Sequence, residues 1–429
     1  MTRLALLFVL INFTISAQQT GIKTGNVIFI HPDGTSLSDW NTLRLLTVGP
    51  DNEINWDKLT GIGLYQGHLR DKASASSNAG ATIHAYGVKA DYFDFGLTDG
   101  KVPVARSGKQ MSIMQEAIEK GVKTGLINSG SIIEPGTAVF VSSAEKRSYY
   151  EEITKEVLLS GVDLILSGGE EFMLPEGVAG RHVASGKRKD GLNLIEEMTQ
   201  RGYKIIYTKD ELKTLSPKEK KVLGVFAAVS TFNDKTEEVQ KENNLFNYIE
   251  TAPRVNEMTA YALEFFRDKG QFFLVVEEEG TDNFGNKNNA QGKLEALRGA
   301  DLAIGEVLNF MKSNPGTMLV TAADSDAGGM QVTSGDLNIK DPALPLAAND
   351  SNGAPIDGKS GTSTPPFVSA PDKSGKIFYF GIVWATNNDV LGGVVARAHG
   401  LNAVRMKGKI DNTDIYRFMY LTLFGKWLD

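Results

Sequence analysis

The chain has 429 residues, 41% apolar and 23% charged, which allows one large α/β domain or two to three smaller ones with a real core. A formal net charge of −7 without a basic stripe excludes a general nucleic-acid binder. The lack of cysteine excludes disulfides, thiolate metal ligands and a lipid-bearing cysteine.

Residues 1–17, MTRLALLFVLINFTISA, carry an early cation at Arg3, an apolar run from Leu4 to Ile11, and small residues at Ser16 and Ala17. They read as a secretory signal, so the mature chain is expected from residue 18, in the periplasm or the medium. The apolar run is too short to span a membrane and no other long one follows, so no membrane anchor is expected. Asn26 to His31 reads as an apolar strand stopped by Pro32-Asp33-Gly34, and Ser36 to Leu46 as a helix. Taken alone, Asp33 is better explained as a cap for that helix. The small-residue run from Ser74 to Lys89 reads as a tight turn entering a helix, with Ser76 or Ser77 near its N-terminus, where free amides favour an anion.

Strand and helix signals then alternate. Helices are expected over 110–120, 149–160, 193–201, 255–269 and 290–313. Strands are expected over 123–127, 163–166, 204–207, 272–276 and 318–321. This order predicts an α/β fold, a three-layer sandwich around a mainly parallel sheet. The segment 334–376, rich in Gly, Pro, Ser and Asp, breaks the order and reads as a loop-rich insertion in a single domain spanning 18–429. Two further apolar runs, 377–384 and 390–396, and a helix over 414–423 close the chain.

Four carboxylates follow strand ends: Asp33 after NVIFIH, Glu277 and Asp282 after FFLVV, and Asp324 after MLVTAA. One such residue is an ordinary solvated turn. Four in one α/β chain point to a shared site, because ligands bind beyond the carboxyl ends of strands. Carboxylates crowded there need a cation between them.

These segments resemble the alkaline phosphatase family from about Asn26 to Phe424, in order and spacing. The resemblance implies a metal-dependent phosphate monoester hydrolase acting through a phosphoserine. It places Ser77 as nucleophile and metal ligand, Arg147 as phosphate clamp, and Asp33, Glu277, Asp282 and Asp324 as metal ligands. Three metal-binding histidines of the family are replaced, at Asn286, Ser325 and Asp389. The acidic residue before the nucleophile is Ser76, and Asn78 replaces a small apolar residue. The family's threonine ligand falls on Gly136, with Glu134 two residues earlier able to take its place.

The resulting ligand set is all oxygen, which favours Mg2+, Ca2+ or Mn2+ and leaves Zn2+ open. His31, His84 and His399 are expected to be structural, with His31 nearest to Asp33. The substrate implied is a small phosphate ester, and a homodimer stays open. The alternatives are a phosphodiesterase of the same superfamily, or a non-catalytic descendant that binds metal or phosphate. A sulfatase of the formylglycine type is disfavoured because there is no cysteine and Ser77 is followed by Asn-Ala-Gly.

Overall fold

The computed structural model describes residues 22–335, 337, 339 and 341–429; the signal reading at 1–17 falls outside the described residues. Val27 to Ile30, in the middle of strand β1 (Asn26–Pro32), expose no surface. Successive strand side chains leave by opposite faces. Val27 and Phe29 enter one apolar layer with Phe273, Val275, Met318 and Val320. Ile28 and Ile30 enter the other with Leu274, Val276 and Leu319. Burial on both faces is why the strand reads as a continuous apolar run rather than an alternation.

The other strands of the large sheet are β2 (Gly61–Gln66), β3 (Lys123–Ser131), β4 (Leu164–Gly168), β5 (Lys204–Ile206), β6 (Val222–Val225), β7 (Phe272–Glu278), β8 (Thr317–Thr321), Val395–Gly400 and Lys407–Asp411. From one edge, the ten lie in the order Lys407–Asp411, β2, Val395–Gly400, β8, β1, β7, β3, β4, β6, β5. All neighbours pair in parallel, except that Val395–Gly400 runs against both β2 and β8. One helical layer includes Ala81 and Ala85, Ile153 and Val157, and Ile415, Tyr416 and Phe418. The other includes Trp40, Leu43, Met258, Leu297 and Ile304. The expected three-layer α/β sandwich is the fold observed.

The sequence reading passed over β2, β6 and Lys407–Asp411. Each contains glycine (Gly61 and Gly63, Gly224, Gly408), which weakens strand signals. The glycine- and proline-rich segment carries the short strands Ile356–Gly358, Gly361–Thr362 and Phe367–Val368. With Gln331–Thr333 they form a small antiparallel sheet that has Tyr379–Val383 at its centre. Among the described residues, no helix is long and apolar enough to cross a membrane.

Candidate active site

The order β8, β1, β7, β3 sets four carboxyl ends side by side. Asp33 is the residue after β1, Glu277 is the last but one of β7, Asp324 lies three residues past β8, and Glu134 three past β3. Register tightens the group: His31 and Asn128 both sit opposite Glu277, one from each neighbouring strand. Asp33 does not cap the following helix, α1 (Leu37–Thr47). Ser36 does, in a reciprocal box with Asp39, which leaves Asp33 free and fully buried.

Ser77 opens helix α2 (Ser77–Tyr86). Ser76 is its N-cap, accepting from Ala79 N at 3.5 Å and donating to the Tyr92 carbonyl at 2.6 Å. A side chain at Gly80 would place Cβ 2.3 Å from Asp324 Cβ. Its absence lets α2 lie against Asp324 and holds Ser77 near Asp33.

Two clusters of possible ligand atoms share Asp33: His31, Asp33 and Glu277, and Asp33, Glu279 and Asp282, each within 4.8 Å. Both oxygens of Asp33, Glu279 and Asp324, and Oε1 of Glu277, are buried without a hydrogen-bond partner among the described residues. Buried charge left unpaired in this way is strongly unfavourable. Burial pushes Glu277 up to about 8, against the pull of His31. Burial and then neighbouring carboxylates push Glu279, Asp282 and Asp324 well above the usual range. Burial acts on Asp33 in the same sense but is outweighed by Asp324, His31 and Ser77, which hold it below that range. A divalent cation reverses the tendency to bind protons, and the orphaned oxygens supply its donor set.

His31 belongs to this site. Its Nδ1 lies 2.7 Å from the Ala322 carbonyl, and its Nε2 lies 3.4 Å from Asp33 Oδ1. A carbonyl on one ring nitrogen and a carboxylate cluster at the other is the arrangement of a metal-ligating histidine. One cluster thus offers an imidazole, and only the other is all oxygen. His84 is structural: it bonds the Tyr65 hydroxyl at 2.8 Å, and burial, then the charge of His31, holds it well below its usual range.

The remaining candidates fall into place unevenly. Asn286 Nδ2 donates to both Asp282 oxygens at 3.1 Å and to Asp389 Oδ1 at 3.0 Å, so these three residues are together. Ser325 is buried beside Asp324, its hydroxyl unpartnered among the described residues. Glu134 lies in neither cluster; it pairs with Arg147, whose nearest guanidinium nitrogen is also 4.0 Å from Glu279. Glu134 therefore supplies Arg147 with the acidic partner that Ser76 cannot. At Gly136 a Cβ would come within 1.9 Å of Glu277 Oε1, so a threonine is incompatible with this placement of Glu277. Asn128 instead donates to Glu277 at 2.5 Å and Thr137 at 3.3 Å.

Glu279 and Asn128 were missed as site residues. The period of two along a strand was the available signal for Glu279. Glu277 and Glu279 reach the cluster, while Glu278 turns away to Ser129 at 2.6 Å and Tyr248 at 2.9 Å.

Comparison with known proteins shows the family and the fold. A family model described as alkaline phosphatase matches residues 24–354. Alkaline phosphatase 4 of Bacillus subtilis is 25% identical over 329 residues, 73% of this chain and 64% of that protein. The alkaline phosphatase of Escherichia fergusonii is 24% identical over 93% of this chain and 85% of its own. The match to alkaline phosphatase 3 of B. subtilis spans 51% of that relative, so parts of both B. subtilis proteins have no counterpart in the match. In fold, the chain is similar to the alkaline phosphatase of Thermus thermophilus, with a TM-score of 0.70 and 19% identity over 95% of this chain and 93% of that one. It is likewise similar to that of the Antarctic bacterium TAB5, with a TM-score of 0.69 and 20% identity over 94% and 98%. The chain belongs to the alkaline phosphatase family.

Proposed function

We propose that the chain is a metal-dependent phosphate monoester hydrolase that works through a phosphoserine on Ser77. The observation that carries this reading is the set of buried carboxylates with unpaired oxygens, placed between the N-terminus of α2 and Arg147. Asp33, Glu279 and Asp282 would hold one cation, and His31 with Asp33 and Glu277, or Asp324 with Ser325, offer further ligands.

Bound cations would supply positive charge for the phosphoryl oxygens and lower the proton affinity of the serine hydroxyl. Ser77 Oγ forms the bond to phosphorus while the ester oxygen leaves with its electron pair, and water later cleaves the phosphoserine to release inorganic phosphate. The Arg147 fork, oriented by Glu134, suits two phosphate oxygens. The N-terminus of α2, where Ser77 sits, would favour the anion there. The oxygen-only cluster favours Mg2+, Ca2+ or Mn2+, and His31 keeps Zn2+ open at the other. With a secretory signal at 1–17, the substrate would be a small phosphate ester outside the cytoplasm.

The test is to strip the protein with chelator and assay a phosphate monoester and a diester with zinc, magnesium, calcium and manganese in turn. Monoester turnover restored by a metal is the expected result. Faster diester turnover would favour a phosphodiesterase, and silence with every metal a non-catalytic binding protein. Ser77→Ala should lower kcat by more than about a thousandfold and leave no phosphoenzyme trapped in acid. Labelled phosphate still bound to that variant would remove Ser77 as nucleophile.

A further inference from the structure

One amide joins three side chains at the rim of the acidic site. Asp282 lies in the short helix Gly280–Gly285, and Asn286 follows the end of that helix. Four residues separate them, about one helical turn, so their side chains share a face. Asp389 comes from the other direction, on the short strand Asp389–Val390, which pairs with Asp326–Ala327. Both carriers are fixed in place. A Cβ at Gly285 would lie 2.7 Å from the Ala327 carbonyl oxygen, so glycine lets the helix end pack there. Lys293 donates to that same carbonyl at 2.7 Å.

The amide between them has a definite orientation. Asn286 Nδ2 lies 3.1 Å from each oxygen of Asp282 and 3.0 Å from Asp389 Oδ1. An amide has two hydrogens, so one is shared across the Asp282 carboxylate and the other goes to Asp389. Hydrogen bonds to carboxylates are stronger than those between neutral groups. Their cost shows at the other end of the amide, where Oδ1 is buried with no hydrogen-bond partner among the described residues. Turned over, the amide would set that oxygen against three carboxylate oxygens, which repel it. A Mg2+ or Zn2+ ion holds its oxygen ligands at about 2.0–2.2 Å and has no room where Nδ2 sits. Asp389 also belongs to neither cluster of possible ligand atoms, whereas Asp282 reaches one of them with Asp33 and Glu279.

We infer that Asn286 is a built-in plug: its amide joins Asp282 to Asp389 where a cation would otherwise sit between them. Cations are thereby kept to the ligands around Asp33, and Asp389 is a positioning residue that holds Asp282 rather than a metal ligand. The inference rests on the metal-dependent reading of the site and limits where its ions lie.

The test counts ions instead of turnover. Equilibrium dialysis of the full protein with Mn2+ and, separately, with Zn2+ gives the ions bound per chain at saturation. Asp389→Asn keeps an oxygen that accepts from Asn286, and it should bind as many ions as the wild type. Asn286→His puts a ring nitrogen in the place of the amide and should gain one Zn2+. Asn286→Asp, of the same size, should gain one Mn2+, so either gain serves where the other variant does not fold. Loss of one ion in Asp389→Asn, or no gain in any folded Asn286 variant, overturns the plug and leaves the metal-dependent phosphatase reading intact. A wild type that binds no ion removes that reading, and a gain in an Asn286 variant would then still support the plug.

Discussion

Lys293 and the Asp33 cluster are both fully buried and both meet the chain at the turn after β1, yet the protein balances only the first. An ammonium has three hydrogens to place. Lys293 Nζ donates to Gly34 O at 3.0 Å and Ala327 O at 2.7 Å, and its charge forms ion pairs with Asp39 Oδ1 at 3.1 Å and Asp326 Oδ1 at 3.9 Å. Burial and the charge of Asp39 push Asp326 up to about 7, against the pull of Lys293. One residue along, Asp33 and its neighbours have carboxylate oxygens with no hydrogen-bond partner. The contrast separates scaffold from site. The lysine ties α1, β1 and the Asp326–Ala327 strand together, and the site is left short of positive charge.

The largest effect expected from this contrast is on the balanced side. Lys293→Met removes the cation and leaves Asp39 and Asp326 facing each other in the interior. Breaking a buried pair on one side costs about 3–5 kcal/mol, which denaturant unfolding of the metal-loaded protein would register. A loss below about 1 kcal/mol would mean that the lysine is not the counter-charge of this group. On the unbalanced side the sign reverses. Glu279→Gln should stabilise the metal-free protein by about 1 kcal/mol or more, because it deletes a buried carboxyl that without a cation must take up a proton it would not hold when unfolded. It should also shrink the rise in Tm on adding a divalent cation, which for one site at a hundredfold excess over Kd reflects about 2.7 kcal/mol. A metal-free Glu279→Gln that is less stable than the parent would show that the cluster is balanced by some other means.

The same contrast marks what could be read from the chain. Asp33, Glu277 and Asp324 were legible because each follows a run of apolar residues buried on both faces, a signal that local order alone provides. Lys293 was not. It lies in the long helix Ala290–Met311, where a lysine ordinarily reads as solvent-facing, and its burial comes from α1 and the turn after β1, both distant in sequence. The pairing of Glu134 with Arg147 was hidden for a related reason: 13 residues separate them, and only the close of β3 brings them together. The His31 ring looked structural because its two partners, Asp33 and the Ala322 carbonyl, lie on different strand ends.

Glu237 sharpens the comparison as a third way to keep a carboxylate inside, by a proton rather than a lysine or a metal. It sits on the helix Glu237–Glu242, against Gly361 of the small sheet. Burial, with the charge of Asp357, pushes it up to about 8. A group whose folded pKa is raised contributes stability that is whole below its unfolded value, near 4.5, and is lost as pH rises through the folded one. The folded protein should therefore weaken between pH 5 and pH 8 by about 1.4 kcal/mol per unit from this group, about 1–2 °C in Tm per unit for a chain this long, and the loss should level off above pH 8. Glu237→Gln, neutral at every pH, should lack that part of the slope when both proteins are compared with saturating metal, which holds the Asp33 cluster constant. Parallel Tm profiles for the two proteins would show that Glu237 is ionised in the fold, and that a cation or a lysine, not a proton, is how this protein accommodates every buried carboxylate considered.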